Sequence, residues 1–143
     1  WDIHFMDYVK YYDKSQQLTI PLNEKLKKVK DYKFVYSVTN GIKTKEKALI
    51  VSVVDNIKPT IELIQSEITL NNGEQFNPKD YIKKVEDNYN QLSADNVVIN
   101  NSVDSNKDVD YEVEYQLEDQ QGNVAISTLI VYIRTVSQNE YCC

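Results

Sequence analysis

Between Tyr111 and Glu118 the sequence alternates without a break. Tyr111, Val113, Tyr115 and Leu117 are apolar, while Glu112, Glu114, Gln116 and Glu118 are polar. A helix turns by about 100° per residue and cannot gather such a set on one side. An extended strand does so directly, because successive side chains point to opposite faces. The segment therefore reads as a strand with one buried face and one solvated face. Upstream, Tyr32, Phe34, Tyr36 and Val38 repeat the pattern.

The two strands belong to a longer correspondence. Asp7-Tyr8-Val9-Lys10 returns as Asp80-Tyr81-Ile82-Lys83, Asp31–Tyr36 as Asp110–Tyr115, and Leu49–Val53 as Leu129–Ile133, at offsets of 73, 79 and 80. Order is kept, and the drift is what loop insertions produce. The reading is two copies of one module over residues 1–55 and 56–136, with residues 137–143 as a tail. The boundary falls at Asp55-Asn56-Ile57-Lys58-Pro59. The second copy opens with Thr60–Ile64 and Glu67–Leu70, then the turn Asn71-Asn72-Gly73. The first has no counterpart to that opening of some twenty residues. Either the chain was cut within a module, or a partner chain supplies the missing strand.

Asn40-Gly41 and Gly122-Asn123 are hairpin signals, each followed by a β-branched run. No stretch shows a convincing 3.6-residue period, and one helical turn at Tyr81–Val85 is the most that is expected. Short strands separated by turns, in units of about 80 residues, indicate an all-β fold of antiparallel β-sandwich modules.

Composition excludes several functions. Apolar residues make up 41% and charged residues 27%, enough to bury a core. The net charge of −6 argues against a nucleic-acid binder, which needs a concentrated positive surface. The one basic stretch, Lys25–Lys30, reads as a solvated strand edge or loop. No apolar run approaches the length of about 18 residues that membrane insertion by a helix requires. The single histidine, His4, and three scattered glycines supply neither a histidine-based triad nor a phosphate-cradling loop. No Gly-x-Ser-x-Gly or His-Glu-x-x-His is present, so no catalytic residues are expected. Cys142 and Cys143 are adjacent and terminal, too close for an unstrained mutual bridge, and read as a tail or a crosslink to another chain.

Thr60–Ile133 resembles the bacterial Ig-like repeats found in tandem on surface proteins and their hyalin-repeat-like relatives. The motifs are Pro59-Thr60-Ile61, Gly73-Glu74-Gln75-Phe76-Asn77-Pro78, Asp87-Asn88, Tyr111-Glu112-Val113-Glu114-Tyr115, Asp119-Gln120-Gln121-Gly122-Asn123 and Ile130-Val131-Tyr132-Ile133. The chain departs from the pattern at Asp31 and Asp110, where the family usually has Gly, and at Asp87-Asn88-Tyr89-Asn90, which lacks a following Gly. The resemblance implies tandem immunoglobulin-like sandwiches in a spacer, adhesive or carbohydrate-proximal role, not an enzyme.

Two site readings follow from the residues. If the Asp119–Asn123 hairpin, the Asp87-Asn88 loop and the Asp55-Asn56 linker share one pole, Asp55, Asp87 and Asp119 are candidate ligands for calcium, which takes six to eight oxygens. The plainer reading makes these residues turn formers that bond their own backbone. It is preferred, because no dense Asp-x-Asp-x-Asp spacing occurs. Of eleven tyrosines, Tyr32, Tyr36, Tyr111 and Tyr115 fall on the inward face, while Tyr11, Tyr12 and Tyr89 lie in polar segments and are the candidate ligand contacts.

The expected function is a structural stalk or adhesion segment on the cell surface or wall of a bacterium, or secreted from it. Its partners would be neighbouring modules, a chain supplying the missing strand, or a host protein or glycan. A virion or phage decoration module is the alternative, and an enzyme-appended carbohydrate-binding module the third.

Overall fold

The computed structural model describes residues 2–4, 6, 17–19 and 24–136. Tyr11, Tyr12, the Asp7–Lys10 limb of the correspondence, residues 137–143 and both cysteines lie outside the described residues. The chain divides into two units, residues 1–55 and 56–143.

In the first unit, β1 (Asp2–Ile3) pairs with β3 (Glu24–Lys25). A three-stranded antiparallel sheet runs in the order β2 (Gln17–Thr19), β4 (Lys30–Thr39), β5 (Thr44–Val53). The turn between β4 and β5 forms because Gly41 takes a φ of 89°, closed to most side chains. Asn40 Oδ1 accepts the N–H groups of Ile42 and Lys43 at 3.0 and 2.9 Å, closing the loop. Leu26 and Val53 are buried, while Tyr32, Phe34, Tyr36, Leu49 and Val51 pack against them only partly buried. The Lys25–Lys30 stretch ends one strand and begins another; Lys27, Lys28 and Lys30 are exposed, but Leu26 anchors it to the core.

The second unit is a β-sandwich. One layer is a four-stranded sheet in the order β7 (Glu67–Asn71), β11 (Val124–Arg134), β10 (Asp110–Glu118), β9 (Val98–Asn100). The other pairs β6 (Thr60–Leu63) with β8 (Ile82–Glu86). Val113, Tyr115 and Leu117 from β10 meet Leu129, Val131 and Ile133 from β11, all six at 0% exposure. Ile61, Leu63, Ile82 and Val85 close over them from the smaller layer. The Ser127 hydroxyl donates to the Ile61 carbonyl at 3.0 Å, joining the layers through a polar contact.

The expected helical turn at Tyr81–Val85 is a correction. Residues Pro78–Tyr81 form a 3₁₀ turn, and Ile82–Glu86 is a strand. Ile82 and Val85 are three apart, a spacing that suits one face of a helix and not a regular strand. The register slips between Glu62↔Lys84 and Leu63↔Ile82, leaving Lys83 unpaired. This bulge returns Ile82 and Val85 to the same inward face.

The β4–β5 and β10–β11 hairpins share one register. Tyr32↔Val51 and Phe34↔Leu49 in the first match Tyr111↔Val131 and Val113↔Leu129 in the second. They differ at the far edge: β11 pairs in parallel with β7, whereas among the described residues β5 pairs only with β4.

Candidate functional site

The motif Gly73-x-x-Phe76-x-Pro78 becomes intelligible in the second unit. Gly73, at φ 85°, ends the turn after β7. Phe76 reaches back to the core and packs on Tyr81 with ring centroids 5.5 Å apart. The Pro78 carbonyl accepts the Tyr115 hydroxyl at 2.8 Å. Burial, reinforced by the nearby Tyr81, pushes the Tyr115 phenol up to about 12. These contacts tie the Gly73–Pro78 turn to the core of the second unit.

The polar concentration lies at the end of the sandwich where β10 turns into β11 and β8 runs into the Asp87–Ser93 loop. Gly122, at φ 87°, permits the hairpin. Asp119 Oδ1 accepts from the Gln121 and Asn123 N–H groups, both at 2.8 Å, and Oδ2 from Asn123 Nδ2 at 2.7 Å. Asp119 is 6% exposed and is the buried polar residue among those described. Burial alone would raise its pKa, but the donors from Asn123, Gln121 and Gly122 together hold it below the ordinary carboxylate value.

Across from it, Asp87 Oδ2 accepts from the N–H groups of Tyr89 and Asn90 at 3.1 and 2.6 Å. Asn90 Oδ1 in turn accepts the Gln120 N–H at 3.4 Å, linking the two loops. One carboxylate oxygen of Asp87 and one of Asp119 lie within 4.8 Å of each other. No ion pair among the described residues includes either acid. Asp87 Oδ1 and Gln121 Oε1 are buried and accept no hydrogen bond among the described residues.

The structure thus brings Asp87 and Asp119 together within the second unit. Asp55 is the last residue of the first unit. Tyr89 is 41% exposed. It borders, without lining, an open depression of about 600 Å³ formed by Glu86, Asp87, Asn90, Gln91, Leu92 and neighbours. An open, polar depression lacks the apolar enclosure that small-molecule sites use.

One oxygen of each acid closes its own loop. An oxygen that accepts two N–H groups has no lone pair left for a cation. Asp119 Oδ1 and Asp87 Oδ2 are filled in this way, so Asp119 Oδ2, Asp87 Oδ1 and Gln121 Oε1 remain. Within the second unit the two acids thus offer calcium one open oxygen each, Asp119 Oδ2 and Asp87 Oδ1, and other oxygens would have to complete its six to eight ligands. Millimolar calcium is accordingly expected to move the melting temperature of the second unit by less than about 1 °C in differential scanning calorimetry. A rise of several degrees, lost in Asp87→Asn, would assign the pair to a metal.

The Ser93–Asn96 cap was not legible from the expected motifs. Ser93 Oγ accepts the Asp95 N–H while Asn96 Oδ1 accepts the Ser93 N–H, fixing a 3₁₀ turn that leads into β9. The reciprocal Ser-x-x-Asn spacing was the available signal.

A family model described as bacterial surface protein, Ig-like domain, matches residues 64–136. No curated protein matches the chain.

Proposed function

The chain belongs to the family of bacterial surface protein Ig-like domains, and on that premise we propose that it is a non-catalytic spacer segment, built of tandem modules, of a bacterial surface or secreted protein. The observation that carries this reading is the shared register of the β4–β5 and β10–β11 hairpins, repeated along one chain. A repeated sandwich sets reach and orientation by stacking copies, and needs no cleft to do so. The pole of the second unit supports the same role. One carboxylate oxygen of each acid closes a loop, and its depression is open and polar.

The reading is tested on intact bacteria with an antibody raised against residues 56–136. Labelling without permeabilisation, together with no binding of the purified chain to glycan arrays or host matrix proteins, is the expected result. Labelling only after permeabilisation would overturn the surface assignment. Saturable binding to a glycan or a host protein would replace the spacer role with an adhesive one.

A further inference from the structure

An asparagine followed by glycine exposes its side-chain amide to attack by the next backbone nitrogen, because glycine has no Cβ to block the approach. The chain holds two such pairs, Asn40-Gly41 between β4 and β5 and Asn72-Gly73 after β7. Both glycines take a positive φ, 89° and 85°, and both asparagines are exposed. Their hydrogen bonds nevertheless treat the two amides in opposite ways.

At the first pair the bonds run to the side-chain oxygen. Asn40 Oδ1 accepts the Ile42 N–H at 3.0 Å and the Lys43 N–H at 2.9 Å. The bond to Ile42 closes a ring that contains both Asn40 Cγ and Gly41 N, so the two atoms that would join are held on one turn. When a nucleophile adds to Cγ, negative charge grows on Oδ1. Two N–H groups already face that oxygen, the arrangement that lowers the barrier to acyl transfer. The Gly41 N–H points at Thr39 Oγ1, 3.1 Å away, an acceptor for the proton that the attacking nitrogen must shed.

At the second pair the bond runs from the side-chain nitrogen. Asn72 Nδ2 donates to Asp108 Oδ1 at 2.6 Å. Hydrogen bonds from Thr135 and Asn72 hold the Asp108 carboxyl below its ordinary pKa, so it is an anion at neutral pH. A negative charge beside the amide opposes an oxyanion at the same place. The Gly73 N–H is committed to the Ser105 carbonyl at 2.7 Å, and the Asn72 N–H to the Arg134 carbonyl at 2.8 Å. Gly73 N cannot turn towards the amide carbon without breaking these bonds.

We propose that the turn at residues 39–43 modifies itself at Asn40, and that the fold of the second unit withholds the same reaction from Asn72. Gly41 N attacks Asn40 Cγ. The N–Cγ bond forms, the Cγ–Nδ2 bond breaks, and ammonia departs carrying the proton from Gly41 N. Water then opens the cyclic imide. Opening at the side-chain carbonyl leaves an aspartyl residue at position 40; opening at the main-chain carbonyl leaves an isoaspartyl one. Either product adds a negative charge to a turn that carries Lys43 and Lys45. The isoaspartyl product also lengthens the main chain of the turn by one carbon.

The test incubates the full chain in mildly alkaline buffer, folded and in urea, and follows both positions by peptide mass spectrometry. Enzymatic methylation reads the isoaspartyl content. Folding is expected to leave the rate at Asn40 equal or faster, and to slow Asn72 at least about tenfold, within what one misdirected oxyanion contact costs. Gly41→Ala is expected to suppress the reaction at Asn40 in folded and unfolded chains alike, since the added methyl hinders the attacking nitrogen even where the hairpin loosens. Asp108→Ala is expected to speed Asn72 several-fold in the folded chain and to leave Asn40 unchanged. Slowing of Asn40 on folding as large as that of Asn72, or conversion that persists in Gly41→Ala, overturns the assignment of Asn40. An Asn72 rate that Asp108→Ala fails to raise overturns the protection assigned to the second unit.

Discussion

Replacing Tyr115 by alanine is expected to cost the second unit about 4 kcal/mol, the usual range for removing a large buried aromatic side chain. Tyr36→Ala, at the matching position of the first unit, is expected to cost less than half as much. The two residues share a register position, Tyr115↔Ser127 and Tyr36↔Lys47. They differ in burial: Tyr115 is at 0% exposure, while Tyr36 is only partly buried. A cavity is left only where neighbours enclose the side chain on every side. Urea unfolding read by exchange at amides of each unit separates the two costs. Equal losses would show that burial does not divide the two units.

Tyr115→Phe refines the same experiment. It keeps the packing but strands the Pro78 carbonyl, at a cost of about 1–2 kcal/mol. It also removes a pH response. The folded phenol titrates at about 12, above the unfolded value of about 10. Its contribution is therefore fully present below about pH 10 and is lost as the pH climbs towards 12. The phenylalanine variant is expected to be less alkali-sensitive over that interval.

The second large effect belongs to Asp119. Asp119→Ala removes three hydrogen bonds that close the β10–β11 hairpin. It is expected to lower the melting temperature of the second unit by roughly 5–10 °C, the scale on which a domain of this size responds to such losses. Asp119→Asn recovers part of this through Oδ1. Its amide group, however, opposes the Asn123 Nδ2 donor with another donor. Acid reports the same group. The folded pKa of Asp119 is lowered, so its contribution is fully present above the unfolded value of about 3.9 and fades as the pH falls below it. Asp104, Asp108 and Glu62 are also lowered and act over the same range. Asp119→Asn is expected to flatten the acid limb of the stability curve without abolishing it. An unchanged acid limb would remove Asp119 from the account.

Strands and turns were legible because they are written in local patterns. The alternation Tyr111–Leu117 can only face inward as a strand, and Gly41, Gly73 and Gly122 each occupy the positive φ that a turn demands. The pairing of Asp87 with Asp119 was partly legible. Asp and Asn at loop positions are visible in sequence, but whether their oxygens are filled by N–H groups depends on the loop geometry. Turn N–H groups take Asp119 Oδ1 and Asp87 Oδ2 and leave Asp87 Oδ1 without a donor.

The sequence alone determined that this chain is built of β-hairpins, that two of them correspond at offsets of 79 and 80, and where their turns fall. These follow from periods of two and from backbone angles, which neighbouring residues dictate. Only the tertiary structure decided the rest. Lys83 is set aside as a bulge so that Ile82 and Val85 share a face, β7 joins β11 in parallel across about sixty residues of chain, and tyrosines at matching register are sealed in one unit and half open in the other. Each of these depends on what lies on the far side of a strand, and the strand's own residues do not encode that.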